Sequence, residues 1–431
     1  MRAVVYRGVN DLRLETVPVP RIGANELLVR VAVCGVCPTD IKKIQHGTVP
    51  PPRIFGHETA GTIVRIGGNR TSLEIPSPIG WERVVPPSRD RVRAGDRVAL
   101  HHHVPCLDCH FCRHRAFAQC ETYKRTGITA GFEPAGGGYA EYVRVMPFVL
   151  PGVVKIPAKN SFEEGAMLEP VNTVLKAVRR LNLLRGDAVL VAGQGPIGLM
   201  FTRLLQLQGV RVLATDLLES RLRLARKFGA RWTRLVPSPQ STGRNRQRAA
   251  NRGLAAVDSR LKTLDAAVIA VPSDDVVRQA LQLVRGGGQL LLFAHTRRST
   301  NGLSRRSEAK ADKRTRPFSL SAAGGGAGRP VLRSRAAAEG GGEVAAPDSH
   351  LPAPNFQLDL ASICLDEKDL IGSYSSDFTL QRDVARLVFS RQLDVRRLIT
   401  HRFPLEQTAS AVALAASPTP DSLKILVRAE V

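Results

Sequence analysis

At 431 residues, 43% of them hydrophobic, the chain is long enough for two ordinary domains with their own cores, which excludes disorder throughout. The formal charge of +24 raises a polyanion partner, but half of the excess sits in two segments, residues 234–262 and 297–348, and base-stacking aromatics are scarce at 5%, so no specific nucleic acid is expected. No run of about 18 apolar residues occurs and MRAVVYRG leads straight into strand-like sequence, so neither a membrane span nor a signal peptide is expected and the default address is the cytoplasm.

Residues 1 to about 155 read as short strand-like runs, ELLVRVAV, GTIVRIG, DRVAL and YAEYVRV, separated by Gly and Pro. That rhythm predicts an all-β, barrel-like domain. Within it the proline-rich piece TSLEIPSPIGWERVVPPSRDR reads as an extended surface loop. From residue 188 the rhythm changes. AVLVAG reads as a buried strand, PIGLMFTRLLQLQ as a helix, VRVLATD as a strand, LLESRLRLARKFGA as a helix ending at Gly229, DAAVIAV as a strand, DDVVRQALQLV as a helix and QLLLFA as a strand. Such alternation predicts a doubly wound parallel sheet. The two basic segments are rich in Gly, Ser, Ala and Arg and bury too little apolar surface to offset the entropy of ordering. Both read as solvated loops, and disorder is expected over about 297–354.

GQGPIG, Gly193 to Gly198, falls between a predicted strand and a predicted helix. Gly193 permits the tight turn, Gly195 lets backbone amides approach a pyrophosphate, and Gly198 lets the helix pack on the strand, with the helix N-terminus lending positive potential. Asp216 closes the second strand 18 residues beyond Gly198, placed to accept from both ribose hydroxyls and to repel a 2′-phosphate. NAD is therefore expected rather than NADP. Pro196, Ile197 and Arg221 are counted with this site.

Seven cysteines, six of them in two tight clusters, suit metal ligation in a reducing compartment better than a disulfide framework. In CLDCHFCRHRAFAQC, Cys106, Cys109, Cys112 and Cys120 supply four thiolates that close a tetrahedral structural zinc site with no open position. His101 to His103 are then surplus to that shell and read as surface or strand-end histidines. The earlier pair in CGVCPTDIKKIQHG, Cys34 and Cys37, has no second CxxC to complete it. The metal-competent residues nearest to it are His57 and Glu58 of IFGHETAG, followed by Glu169 of GAMLEPVNT. Cys, His and carboxylate from separated segments describe a catalytic zinc site with a position left for water or substrate.

At this point the chain resembles the zinc-dependent medium-chain dehydrogenases, in their polyol (sorbitol, iditol) and threonine dehydrogenase branch. The resemblance rests on Gly35, Cys37, Thr39 and Asp40 (GxCxTD), on Gly56, His57 and Glu58 (GHE), on the four-cysteine lobe, on GGYAEY ending at Tyr142, on LEP around Glu169, on GxGPIG and on THRFPLE from Thr400. It covers nearly the whole chain outside the three loops. What it implies is a GroES-like β-barrel catalytic domain, residues 1–155 completed by 373–431, around a Rossmann cofactor domain, residues 156–372. It also implies two zinc ions per chain, a small-molecule alcohol or polyol as substrate, and a homodimer or homotetramer.

By that resemblance the ligand is Cys37, and Cys34 is a small buried strand-end residue. Zinc held by Cys37, His57 and a carboxylate would lower the pKa of a substrate hydroxyl, one thiolate and one carboxylate balancing its two charges. Thr39 would take the hydroxyl proton, Asp40 would orient His57, and Glu58 and Glu169 would lie in or against the metal shell. Lys42 stands where many relatives carry a relay histidine. A zinc-free quinone or enone reductase on the same scaffold is disfavoured by the retained Cys37, His57 and Glu58; a damaged relative is the remaining alternative, because the basic insertion follows QLLLFA directly.

Overall fold

The computed structural model describes residues 1–68, 70–75, 91–101, 103–125, 136–236, 263–294 and 359–429. The predicted disordered insertion at about 297–354 and nearly all of the first basic segment lie outside these residues.

Two sheets carry the architecture. The first is largely antiparallel and runs Val153–Lys155, Arg97–Leu100, Glu58–Ile66, Leu27–Gly35, Lys424–Arg428 and Ile399–Pro404, with Tyr142–Val145 also pairing with Leu27–Gly35. Its last two strands come from the C-terminal end of the chain and are parallel to each other. Leu27, Val29, Val31, Ile63, Val98 and Val143 fill its interior. A three-stranded sheet, Asp11–Thr16, Arg2–Gly8 and Arg53–Ile54, packs nearby through Val4, Tyr6, Ile54 and Phe55 onto Ile41 and Ile44 of the helix Pro38–His46.

The second sheet is parallel, in the order Trp232–Leu235, Arg211–Asp216, Ala188–Ala192, Leu264–Ile269, Val284–Leu292 and Asp369–Gly372. Its central strand AVLVA is buried at every position, as expected of a strand covered on both faces. The helix Pro196–Leu207 packs its Leu199, Phe201 and Leu205 against Val189, Val212 and Val268. The same cluster continues through Val171 and Leu168 to Val33, Ala60 and Leu426 of the antiparallel sheet, so one apolar core runs beneath both.

The strands at both edges of the parallel sheet had no counterpart in the sequence reading. Trp232–Leu235 and Asp369–Gly372 are short and mostly exposed or half-buried, so neither carries the continuous apolar run that marks an inner strand. The proline-rich piece is not loop throughout: Ser72–Glu74 pairs with Arg91–Arg93, while residues 76–90 lie outside the described residues. Among the described residues no helix is long and apolar enough to cross a membrane.

Candidate active site and metal centres

The strands Leu27–Gly35 and Glu58–Ile66 run antiparallel with Gly35 directly opposite Glu58. The chain therefore leaves the first strand at the level where it enters the second, and Cys37 meets His57 and Glu58. Closeness of this kind requires glycine: a Cβ on residue 35 would stand 1.8 Å from Glu58 Oε2. Pro38 opens the helix Pro38–His46 at a position where its fixed φ is an advantage, with Cys37 as the extended N-cap residue. One ligand atom each from Cys37, His57 and Glu58 lies within 4.8 Å of the others, as a shared ion requires.

Asp40, wholly buried in the first turn of that helix, lies 3.1 Å through Oδ1 and 3.0 Å through Oδ2 from His57 Nδ1. That contact engages Nδ1, so an ion shared with Cys37 and Glu58 would be met by Nε2. Burial disfavours an imidazolium here, yet the charges of Asp40 and Cys37 outweigh it and hold the His57 pKa well above its ordinary value. Surroundings that attract a proton this strongly also attract a cation.

Glu169 is the other acid expected in or against the same metal shell. It opens the helix Leu168–Val178, is 5% exposed, and is not among the atoms that fall together with Cys37, His57 and Glu58. Burial first, then the charges of Glu58 and Asp40, push its pKa up to about 7 against the opposing pull of His57 and Lys424. It stands beside the Cys37, His57 and Glu58 cluster, close enough to feel the charges of His57 and Glu58.

Sequence reasoning missed Lys424. This residue begins the C-terminal strand Lys424–Arg428, is 5% exposed, pairs with Glu58 and donates to Val36 O at 3.0 Å. Burial alone would lower an ammonium pKa, but Glu58 and Cys37 raise it. The charge balance of one thiolate and one carboxylate against zinc was therefore incomplete, since a buried cation also acts on the site. The local signal was a lysine leading the apolar run Ile425–Val427, and such residues ordinarily face water. Thr39 is half-buried in the turn beside Cys37. Lys42 and His46 are exposed, so Lys42 occupies the relay position without lying in the interior.

Cys34 is enclosed. Its Sγ accepts from Thr59 Oγ1 at 3.5 Å, and a Cβ on Gly56 or Gly138 would come within 2.8 Å or 2.6 Å of it. Burial pushes its pKa up to about 12, so it stays a protonated thiol.

The four later cysteines draw their sulfurs into one cluster, with Sγ to Sγ distances of 3.5 Å (Cys109 to Cys112), 3.6 Å (Cys120 to Cys106) and 3.9 Å (Cys106 to Cys112). Four sulfurs bound at about 2.3 Å in a tetrahedron stand about 3.8 Å apart, so the cluster fits zinc. Backbone amides of Cys106 and Cys109 point at the sulfurs of Cys120 and Cys106, each at 3.4 Å. Of the surface or strand-end places expected for the histidines, His101 takes the strand end: it follows the strand Arg97–Leu100, is wholly buried, and reaches Ser376 Oγ at 3.3 Å. Burial brings its pKa down to about 4. His103 is half-buried beside Tyr123, and His102 lies outside the described residues.

In the dinucleotide loop each glycine meets a different constraint. Gly193 has φ +89° and no room for a Cβ, which would lie 2.4 Å from Val271 Cγ1. A Cβ on Gly198 would lie 1.7 Å from Gly193 O, so the helix Pro196–Leu207 abuts the loop itself. Gly195 faces open space, a cradle that a side chain would fill and a pyrophosphate fits. Pro196 occupies the first helical position and Ile197 packs on the core below. Asp216, 6% exposed, accepts from Gln194 N at 2.6 Å and Leu218 N at 2.9 Å, and Arg221 Nη1 stands 4.0 Å from it. Gln194 was not singled out from sequence; buried, it ties Val191 O to Thr202 Oγ1 and stiffens the loop from inside.

Residues 23–158 match the family model described as the alcohol dehydrogenase GroES-like domain. The chain is 26% identical over 438 aligned positions to a sorbitol dehydrogenase of Bombyx mori, covering 99% of this chain and 98% of that one. It is 32% identical to a sorbitol dehydrogenase of Gallus gallus over 54% of this chain and 59% of the relative. In fold it is similar to a zinc-binding dehydrogenase of Sinorhizobium meliloti bound to NADP, with a TM-score of 0.70, 22% identity and coverage of 99% and 98%. A GroES-like sheet bearing a Cys, His and Glu cluster, beside a dinucleotide-type parallel sheet, defines an alcohol-oxidising or carbonyl-reducing enzyme. Residues 23–158 thus carry the GroES-like domain of alcohol dehydrogenases, and along nearly its whole length the chain is similar to a sorbitol dehydrogenase.

Proposed function

We propose that this enzyme interconverts a secondary hydroxyl of a polyol and the corresponding ketone, with NAD as the hydride carrier and two zinc ions per chain. The observation that carries this reading is the convergence of Cys37, His57 and Glu58 on one point, a ligand set that includes a carboxylate. Sequence relatives named as sorbitol dehydrogenases and D-xylulose reductases support the polyol class. Asp216 supports NAD, since its carboxylate opposes a 2′-phosphate. Cys106, Cys109, Cys112 and Cys120 would hold the second, structural ion.

Bound zinc supplies Lewis acidity toward the substrate oxygen, and the nicotinamide supplies the hydride acceptor. The remaining work falls to the chain. Asp40 holds His57 in one orientation and tautomer. Thr39, adjacent to the ligand turn, takes the hydroxyl proton and passes it on. Glu58 neutralises charge at the metal under the control of Lys424, and Glu169, with a pKa near the working range, holds or returns a proton beside the site. We assign residues 1–155 and 373–431 to the catalytic domain and 156–372 to the cofactor domain. The same reading makes the enzyme a cytoplasmic homodimer or homotetramer.

The test is a screen of NAD and NADP reduction over sorbitol, xylitol, threonine and simple secondary alcohols, paired with metal analysis. Two zincs per chain and polyol-dependent NAD reduction that Cys37→Ala abolishes are expected. Preference for NADP, or activity confined to threonine, would overturn the corresponding part of the reading.

A further inference from the structure

The four-cysteine lobe presents two further metal-competent side chains to solvent. His110 and His114 bracket the short helix His110–Arg113, with Cys109 as its extended N-cap residue and His114 as its C-cap. The amide of His114 donates to His110 O at 3.3 Å and that of Arg113 to Cys109 O at 3.1 Å, so one α-helical turn is closed and residues four apart share a face. Of the ten histidines no other two stand four apart in sequence, which makes the pair a distinct feature of this turn. Both side chains are exposed, and their ring centroids are 4.6 Å apart with the planes at 59°, which is not a stacked pair. Two imidazoles bound to one ion at about 2.0–2.1 Å, with an angle at the metal between about 90° and 110°, hold their centroids about 4.5–5.2 Å apart. The spacing found here needs little adjustment, and with both rings in water their nitrogens can turn to an ion without disturbing the core. Arg113, the cation between them, pairs with Asp108 at 3.2 Å, and no acid stands in the turn itself.

We propose that His110 and His114 form a metal site separate from the two clusters already described, a solvent-open chelate for a borderline divalent ion such as zinc or nickel. Imidazole at i and i+4 of a helical turn is a known way of offering two nitrogens to one ion. Neutral imidazole suits zinc, nickel and copper, whereas magnesium and calcium demand oxygen ligands that this turn does not supply. Two protein ligands leave the other positions to water, so the ion exchanges with solvent, unlike one enclosed by four thiolates. The cysteine lobe supports the chelate. A helix of four residues does not persist by itself, and Cys109 and Cys112, two of the four gathered sulfurs, hold this one in place. An ion in the lobe therefore fixes the turn from which both histidines project, and the pair loses less freedom on binding when the lobe is closed. The site lies outside the catalytic ligand set, and the inference does not depend on which alcohol the enzyme takes.

The test is equilibrium dialysis of the enzyme, carrying whatever metal it is purified with, against zinc chloride, nickel chloride or magnesium chloride in turn. One zinc or nickel per chain above the starting content is expected, and no magnesium. His110→Gln and His114→Gln are each expected to weaken that extra binding about ten-fold or more, because each removes one arm of the chelate. His46→Gln, exposed on a different helix, is expected to leave it unchanged. A bound ion favours the folded state, so added zinc is expected to raise the melting temperature of the parent and not that of the double variant. Reaction of the lobe cysteines with a thiol reagent is expected to weaken the extra site as well. Extra binding that neither substitution alters, loss in only one of the two, magnesium bound as well as zinc, or an affinity indifferent to the opened lobe would overturn the proposal. The extra ion is counted as a difference from the starting content, so the result decides this site whether the purified enzyme carries two zincs or fewer.

Discussion

Lys424 and Glu58 show how a single buried pair alters the account of a metal site. Both lie in the interior, and a buried charge is tolerated only when it is matched. Lys424→Met leaves Glu58 without its partner, which costs on the order of 3–5 kcal/mol when no metal takes its place. Urea unfolding is therefore expected to show a large loss for the zinc-stripped variant and a smaller one after zinc is restored; the same loss in both states would mean that Glu58 does not face the ion. Asp40 acts more indirectly. Asp40→Asn weakens the hold on His57 and is expected to reduce catalytic zinc affinity about 10-fold to 100-fold, measured by chelator competition, with excess zinc recovering activity. That Asp40 and His57 belong to one site was legible from GxCxTD and GHE, because each sits in a short local motif, and the two side chains do meet. Lys424 was not, because it reaches Glu58 across 366 positions of sequence.

At the scale of elements, the turn from Ala188–Ala192 into Pro196–Leu207 separates structural from binding glycines. A methyl group at Gly198 runs into the Gly193 carbonyl, so Gly198→Ala is expected to lower the melting temperature as well as cofactor affinity. Gly195→Ala meets no protein atom; its stability is expected to stay within about 0.5 kcal/mol of the parent while the Kd for NAD, followed by nicotinamide fluorescence, rises. The end of the strand Arg97–Leu100 makes a pH prediction. With its folded pKa at about 4, below the ordinary imidazole value of about 6.5, His101 binds a proton less readily folded than unfolded. Its contribution is complete above pH ~6.5 and is lost as pH falls toward 4. Comparing urea midpoints at pH 7 and pH 5, His101→Asn is expected to flatten that decline. Inner strands and amphipathic helices were legible because burial on fixed faces imposes a period on the sequence. The edge strands Trp232–Leu235 and Asp369–Gly372 carry no such period, since half of each remains in water.

For the whole molecule, the proposal of two zinc ions predicts a metal content that falls from two to one in Cys37→Ala, the remaining ion being released only when the four-cysteine lobe is opened by a thiol reagent. The order of motifs along the chain was sufficient to identify the fold class and to single out the glycine-rich loop and the two groups of Cys, His and Glu residues that the fold gathers. Each depends on side-chain types at short fixed spacings or on a repeating apolar pattern, and these survive in one dimension. Tertiary structure alone decided that Glu58 rather than Glu169 falls together with Cys37 and His57, that a lysine from the last strand faces it, and that Cys34 is sealed behind glycines. Those outcomes depend on strand register and on packing between distant segments, where a displacement of a few ångströms exchanges a metal ligand for a bystander.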